Sequence, residues 1–148
     1  MINQTLVTEL LYLSNHLEWN LAKDEWLLDT IYFDDNKQTC LCGHYPILEI
    51  CVIKNKDTKE KATVGNCCVK NFLDLPSDKI FSAIKRIKID IEKSLNIETI
   101  EFAYSKKWIN DWELNFYSDT FKKRSITDKQ NLKRIDINQK ILNKIIKK

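Results

Sequence analysis

The apolar positions of this chain recur mostly at helical spacing. Near the N-terminus they step by three or four residues, which predicts an amphipathic helix. They are Ile2, Leu6, Leu10, Leu13 and Leu17. After Pro76, a second stripe predicts another helix, for which Ser77 is a suitable N-cap. It consists of Ile80, Ile84, Ile87, Ile91 and Leu95.

Two more helices are predicted in the last third of the chain. Asn96 is expected to interrupt the chain before an aromatic-rich helix over residues 98–122. Its aromatic residues at four-residue steps favour a buried core over a base-stacking surface, with at most one or two exposed rings. They are Tyr104, Trp108, Trp112 and Phe116. The pattern Thr127-x-x-Gln130 then predicts a capping box that starts a helix running to the C-terminus.

The middle of the chain has a different pattern, which predicts a β-hairpin. Residues 47–54, ILEICVIK, are rich in residues that favour β-strands. They are followed by a polar turn, NKDTKE, and by KATVG, which is predicted to form the returning strand. The earlier run WLLDTIYF, residues 26–33, allows either a strand or a helical turn. We therefore expect one mainly helical α+β domain with three segments: residues 1–38 helical, 39–75 around the hairpin, and 76–148 helical.

The chemistry of the chain is concentrated at this hairpin, where residues 40–68 contain all five cysteines. Cys40 and Cys42 leave an extended backbone on the same side, and Gly43 allows a sharp turn before His44. The pair at 67 and 68 lies at a predicted helix start, where the helix dipole favours thiolates. A treble-clef zinc module typically has ligands on a turn, then a β-hairpin, then further ligands at the start of a helix. This segment is predicted to have the same order.

One structural Zn²⁺ ion per chain is therefore expected, held tetrahedrally by sulfur and imidazole. The preferred ligands are Cys40, Cys42, His44 and Cys68. Cys67 is the first substitute, since adjacent residues on a helix diverge by about 100°. Cys51, in the middle of the hairpin, is a second substitute and is more simply a small buried hydrophobic residue. Ordinary buried cysteines beside a surface histidine are the alternative.

The pattern C-x-C-G-H … V-G-N-C-C-V-K-N-F, residues 40–72, resembles uncharacterised small zinc modules of phages, large DNA viruses and mobile elements. Residues 112–130 are similar to a tail that accompanies such modules. The resemblance implies a zinc-stabilised fold of viral or mobile-element origin, and it favours Cys68 over Cys67 as a ligand. It implies no known reaction.

Charge is distributed unevenly along the chain. The net charge is +3, but residues 1–39 carry −5 and residues 122–148 carry +8. In the last helix, five lysines fall on one face and would follow a phosphate backbone; only Asp128 and Asp136 oppose the basic groups of this segment. The expected nucleic-acid-binding residues are Lys122, Lys123, Arg124, Lys129, Lys133, Lys140, Lys144 and Lys147.

Two functions fit these observations. The first is a small zinc-stabilised protein that binds nucleic acid through its basic C-terminal helix. The second is a protein-interaction module, such as an anti-CRISPR-like inhibitor of a host-defence nucleoprotein, whose acidic N-terminal region mimics nucleic acid. The apolar faces of the C-terminal helix would also allow a homodimer.

An enzyme, a membrane protein and a secreted protein are not expected. Two histidines and two glycines supply neither a nucleophile–base system nor a glycine-rich phosphate loop, and the linked motifs of zinc deaminases are absent. The N-terminus lacks the basic region and cleavage site of a signal peptide, and no apolar run is long enough to span a membrane. Reduced, clustered cysteines indicate a cytoplasmic location.

Overall fold

A computed structural model describes residues 4–73 and 75–145, except the side chain of Phe72. The described chain is α+β, with helices and a three-stranded antiparallel sheet. It divides into two compact units, one formed by residues up to Asp78 and the other by residues from Lys79 onward. The candidate metal ligands lie in the first unit, and the predicted basic residues lie in the second.

The first unit contains the sheet. Its elements are α1 (Gln4–Tyr12), α2 (Trp19–Ala22), a 3₁₀ turn (Lys23–Glu25), β1 (Trp26–Gln38), β2 (Ile47–Asn55), β3 (Lys61–Gly65), α3 (Asn66–Cys68) and a π-helical turn (Val69–Leu73). The undecided run at residues 26–33 is thus a strand. It pairs with β2, with Trp26 opposite Asn55.

The predicted hairpin is formed by β2 and β3, with Lys54 opposite Lys61. Cys51 lies at the centre of the sheet, between Ile31 of β1 and Val64 of β3, and all three side chains are fully buried. The pairing of β2 with both β1 and β3 therefore holds the ends of β2 and β3 in place. The finer prediction that the surrounding segment is a treble clef stays a prediction.

Helix α1 is shorter than its apolar stripe predicts. It ends at Tyr12, and Leu17 is 90% exposed; Ile2, the first position of the stripe, lies outside the described residues. The physical reason is Glu25, whose buried carboxylate accepts hydrogen bonds from the backbone N–H groups of Asn15 and His16 at 2.8 and 2.9 Å. Those N–H groups would otherwise continue the helix.

The second unit is helical. Helix α4 (Ser77–Ile89) starts at the end of the first unit, and α5 (Ile97–Ser105), α6 (Asp111–Thr120) and α7 (Asp128–Ile145) follow. The predicted α4 stripe is only partly helical, because Ile91 and Leu95 lie beyond the end of the helix. Ser77 is helical and its hydroxyl donates to Asn66 Oδ1 at 2.6 Å, so the predicted N-cap role of Ser77 is not observed.

The predicted helix over residues 98–122 is divided into α5 and α6. Asn110 starts the second helix through a capping box in which its side chain accepts from the Glu113 N–H and Glu113 accepts from the Asn110 N–H. Before this box, Lys107 adopts a left-handed conformation with φ of 62°. The predicted capping box at Thr127 and Gln130 is present and precedes α7.

The aromatic stripe contributes to a core only in part, since Trp108 and Phe116 are half-buried and the other two rings are exposed. None of its four members is buried; Tyr104 is 39% exposed and Trp112 is 58% exposed. Tyr117, the residue after Phe116, is fully buried instead; its hydroxyl donates to Asn138 at 2.7 Å and accepts from the Leu95 N–H at 3.0 Å. Tyr117 shares the interior of this unit with the fully buried isoleucines of α7, which are Ile137, Ile141 and Ile145.

A membrane-spanning helix is not found in the part of the chain that the structure describes, since none of its helices is both long and apolar enough.

Candidate metal centre and basic segment

Three of the predicted metal ligands come together in the first unit. The Sγ atoms of Cys40, Cys42 and Cys68 lie within 4.8 Å of one another, and those of Cys40 and Cys68 are 3.6 Å apart. None of the five cysteines forms a disulfide. These three thiols are therefore close enough to bind one metal ion, and we call them the thiol cluster.

A tight loop between β1 and β2 supplies two of these thiols. The Cys40 N–H donates to the His44 carbonyl at 2.9 Å, and the Gly43 N–H donates to the Cys40 carbonyl at 2.8 Å. Gly43 has φ of 95°, a conformation that side-chain-bearing residues rarely adopt. The Leu41 N–H donates to the Thr63 carbonyl at 3.2 Å and so attaches the loop to β3. The third thiol, on α3, follows directly from the end of β3.

Backbone N–H groups point at the sulfur atoms of this loop. Cys40 Sγ accepts from the N–H groups of Gly65 at 3.2 Å and Cys42 at 3.5 Å. The His44 N–H donates to Cys42 Sγ at 3.4 Å. Such donors stabilise negative charge on sulfur, which is the form that binds metal. The loop is therefore arranged for thiolates rather than for neutral thiols.

Within the thiol cluster, the pKa values of Cys40 and Cys68 are shifted in opposite directions. The hydrogen bond from the Cys68 thiol and the two backbone donors outweigh burial and lower the pKa of Cys40 to about 5. The same bond raises the pKa of Cys68, because its proton is held between the two sulfurs, and burial adds to the rise. A metal ion would replace that proton and bind both sulfurs as thiolates.

His44, the fourth predicted ligand, is outside the thiol cluster but beside it. A cavity of about 320 Å³ is lined by the thiol cluster together with His44, Cys67 and Asn71. His44 and Cys67 are both exposed, and Cys67 Sγ accepts from the Asn71 amide at 3.4 Å. Both side chains line the same cavity as the thiol cluster, so a thiol and an imidazole, which are both common metal ligands, lie beside it.

Cys51 is separate from this cavity. It is fully buried in the sheet, and burial raises the pKa of its thiol to about 12. A thiol that stays protonated in an apolar sheet has the properties of a small hydrophobic side chain.

A second group of donor atoms was not anticipated from the sequence. Atoms of His16, Glu25 and Asp57 lie within 4.8 Å of one another. The carboxylate of Glu25 already accepts four hydrogen bonds, including those from the His16 ring at 2.7 Å and the Asn55 amide at 3.0 Å. This group is accordingly a structural network that joins the loop after α1 to the turn after β2.

The basic side chains predicted to bind nucleic acid lie in the second unit. We call residues 122–129, between α6 and the first turn of α7, the basic segment. Lys123, Arg124 and Lys129 are exposed and make no ion pair with any acid in residues 4–73 and 75–145. Lys122 is exposed with its ammonium 5.5 Å from the Phe121 ring centroid. Lys144 is exposed near the end of α7, and Lys147 lies outside the described residues.

Two of the five lysines predicted to share one face of the last helix, Lys133 and Lys140, form ion pairs with acids, contrary to the expectation that this face is largely unopposed. Glu113, which is 2% exposed, binds Lys140 at 2.8 Å and Lys133 at 3.7 Å. Asp136 lies 3.3 Å from Lys133 and 3.9 Å from Lys140. The Glu113 contacts were not predictable from local patterns, because 27 residues separate Glu113 from Lys140. These two lysines hold α6 against α7, and the cations of the basic segment are better placed to contact a ligand.

Several of the N-terminal acids that were proposed to mimic nucleic acid make hydrogen bonds or ion pairs within the first unit. Glu25 and Asp34 are buried, and Asp34 accepts hydrogen bonds from the Asn36 N–H and the Gln38 amide. Asp29 pairs with Lys61 at 3.3 Å. The exposed acids of residues 1–39 are Glu9, Glu18, Asp24 and Asp35.

The chain matches no protein-family model, no curated protein and no solved structure. The resemblance of residues 40–72 to phage and mobile-element zinc modules stays a prediction.

Proposed function

We propose that this protein is a non-enzymatic, zinc-stabilised protein that binds nucleic acid through the basic segment of its second unit. The observation that carries the proposal is the group of exposed cations at Lys122, Lys123, Arg124 and Lys129. Asp128, in the first turn of α7, is the single acid within residues 122–129. Displacing counterions from phosphates by such cations is the main source of sequence-independent affinity for nucleic acid.

Zinc is the proposed metal, and its proposed ligands are Cys40, Cys42, Cys68 and His44. Three thiolates with one imidazole form a common structural zinc site. The backbone donors at Cys40 and Cys42 support this choice, because N–H groups that point at sulfur stabilise the thiolate form that a metal ion binds. The role of the zinc is to fix the loop after β1 to the start of α3.

Metal analysis of single variants tests the zinc site. Cys68→Ser should lose the metal, whereas Cys67→Ser, at the adjacent exposed thiol, should keep one equivalent. His44→Ala should weaken zinc binding, since water must then complete the coordination. If Cys67→Ser releases zinc and His44→Ala does not, then Cys67 is the fourth ligand; if the wild type folds without metal, the zinc proposal fails.

Nucleic-acid binding is tested by removing three cations that make no ion pair with the described acids. The triple variant Lys123→Gln, Arg124→Gln and Lys129→Gln should bind more weakly to every sequence, because phosphate contacts are not sequence-specific. The slope of log K against log salt should become shallower by up to about 3, roughly one per lost contact.

A matched control removes three lysines that are exposed in the first unit, Lys23, Lys37 and Lys56. The control lowers the net charge by the same amount, so a specific surface predicts a much smaller effect than overall charge would. Equal losses for the two triple variants would contradict binding at the basic segment, and absence of binding by the wild type at low salt would refute the function itself.

A further inference from the structure

We propose that the protein prefers single-stranded nucleic acid and that Trp112 stacks on an unpaired base. This inference rests on the proposed function and names the form of nucleic acid that the second unit recognises. Its basis is a groove between α6 and α7 with a volume of about 580 Å³, lined by Trp112, Phe116, Leu132, Lys129, Lys133 and other residues. We call it the Trp112 groove.

The aromatic wall of the groove is preformed. The rings of Trp112 and Phe116 are stacked, with centroids 5.4 Å apart and an angle of 8° between their planes. Trp112 is 58% exposed, so the stack ends in a large ring that is accessible to solvent. Parallel stacking is the arrangement that an inserted nucleobase would extend, and the supporting ring limits the entropy lost when the base binds.

The opposite wall adds an exposed apolar side chain. Leu132 of α7 is 68% exposed and lines the same groove. Grouped exposed apolar side chains indicate a binding surface, whereas isolated ones are ordinary. The groove is therefore suited to a ligand with a flat or apolar part.

Positive charge at the groove decides between possible ligands. Lys129, Lys133 and Asp136 line it. Lys133 Nζ lies 5.2 Å from the centroid of the Trp112 ring but is paired with Asp136 at 3.3 Å, so Lys129 supplies the cation that makes no ion pair with the described acids. The other cations of the basic segment precede Lys129 along the chain by five to seven residues. A ligand that combines a flat ring with neighbouring phosphates would place the ring on Trp112 and the phosphates near these cations. An unpaired nucleotide has this chemistry. In a duplex the faces of the bases are stacked on one another and are inaccessible to Trp112.

The test measures affinity for a labelled oligothymidylate and for a duplex of the same length at low salt. Trp112→Leu keeps an apolar side chain but has no ring, so single-strand affinity should fall by roughly 5- to 100-fold while duplex affinity changes little. Trp112→Phe should retain most of the single-strand affinity. Tyr12→Leu, at an aromatic residue of the first unit that is 87% exposed, should have no effect.

A second variant keeps the test valid if Trp112→Leu fails to fold. Leu132→Glu introduces a carboxylate at an exposed position of the groove and should weaken single-strand binding by electrostatic repulsion. Its matched control is Leu21→Glu in the first unit, where the leucine is 53% exposed.

Three results would overturn the proposal. A folded Trp112→Leu variant that binds the single strand like the wild type would exclude stacking, although the basic segment could still bind phosphates. Equal losses for single strand and duplex would exclude the preference. A wild-type dimer that Trp112→Leu converts to a monomer would show that a second copy occupies the groove. A wild type that binds neither probe would instead refute the proposed function.

Discussion

Glu25 shows how one buried charge can organise a unit. Its carboxylate is 2% exposed and accepts from two backbone N–H groups, the His16 ring and the Asn55 amide. The Asn55 Oδ1 atom in turn accepts from the N–H groups of Asp57 and Thr58 at 2.9 Å each. Loss of Glu25 would thus leave buried donors unpaired at both ends of the network, which is more costly than the loss of an exposed ion pair.

Acidification should weaken this network. Burial alone would raise the pKa of Glu25, but the hydrogen bonds from Asn15, His16 and Asn55 outweigh it and lower the pKa from 4.5 to about 2. A lowered pKa means that the stabilising contribution is complete above pH 4.5 and is lost as the pH falls toward 2.

Urea unfolding of the wild type and of Glu25→Gln measures this contribution. The difference between their unfolding free energies should be largest near neutral pH and should shrink below pH 4.5. Comparing the two proteins at each pH cancels the effect of acid on the metal site. A difference that stays constant down to about pH 3 would show that the carboxylate charge is not the stabilising element.

At the scale of elements, Glu113 connects α6 to α7. It completes the N-terminal capping box of α6 through Oε1 and accepts from Lys140 of α7 through Oε2. Burial raises the pKa of Glu113, yet the bond from Lys140 and the cap together lower it. One side chain therefore both starts a helix and holds it to its neighbour.

Glu113→Ala should destabilise the second unit by about 1–3 kcal/mol, because it removes half of the cap and the buried carboxylate that binds Lys133 and Lys140. Glu113→Gln should cost less, since its amide oxygen still accepts from the Asn110 N–H. Glu101→Ala, at an exposed glutamate of α5, is the matched control. Equal unfolding free energies for Glu113→Ala and Glu101→Ala would contradict this role.

Local sequence signals predicted the elements that local interactions create. The hairpin follows from two β-rich runs around a polar turn, and the start of α7 follows from the Thr127–Gln130 capping box. The same kind of box at Asn110 and Glu113 was readable in the sequence, but the helical spacing of the aromatic residues obscured it. Periodicity defines one face of a helix and does not reveal whether that face is covered, which is why it did not single out Trp112 as an exposed ring.

Contacts between distant residues were not predictable from local patterns. The spacing of Cys40 and Cys42 indicated a metal site, and the approach of Cys68 was expected from the predicted hairpin. The capture of two N–H groups by Glu25 could not be foreseen, because an acid in a short polar stretch is ordinarily exposed. The pairing of buried Glu113 with Lys133 and Lys140 was likewise not predicted, because a glutamate is ordinarily exposed.

At the scale of the whole molecule, the two proposed activities belong to different units. The thiol cluster lies in the first unit, and the basic segment and the Trp112 groove lie in the second. Each unit has its own buried residues, with Ile50 and Val64 in the first and Tyr117 and Ile141 in the second. We therefore expect metal and nucleic acid to stabilise different parts of the chain.

Removal of the metal with a chelator should loosen the first unit selectively. Amide hydrogen exchange should increase in the loop of residues 40–46 and at residues 66–68, which the metal would join, and stay slow in buried parts of the second unit. Nucleic-acid binding should persist. Exchange that increases equally in α7 would show that the two units do not unfold independently.

The unequal exposure of the five thiols means that chemical labelling can report the state of the protein. Cys67 is exposed, the thiol cluster would be protected by its metal, and Cys51 is enclosed within the sheet. Iodoacetamide should add one group to the metal-loaded protein, four after chelation and five after unfolding, as intact mass would record. Because alkylation is irreversible, these mass increments would preserve the distribution of metal-loaded, metal-free and unfolded molecules in a cell at the moment of lysis.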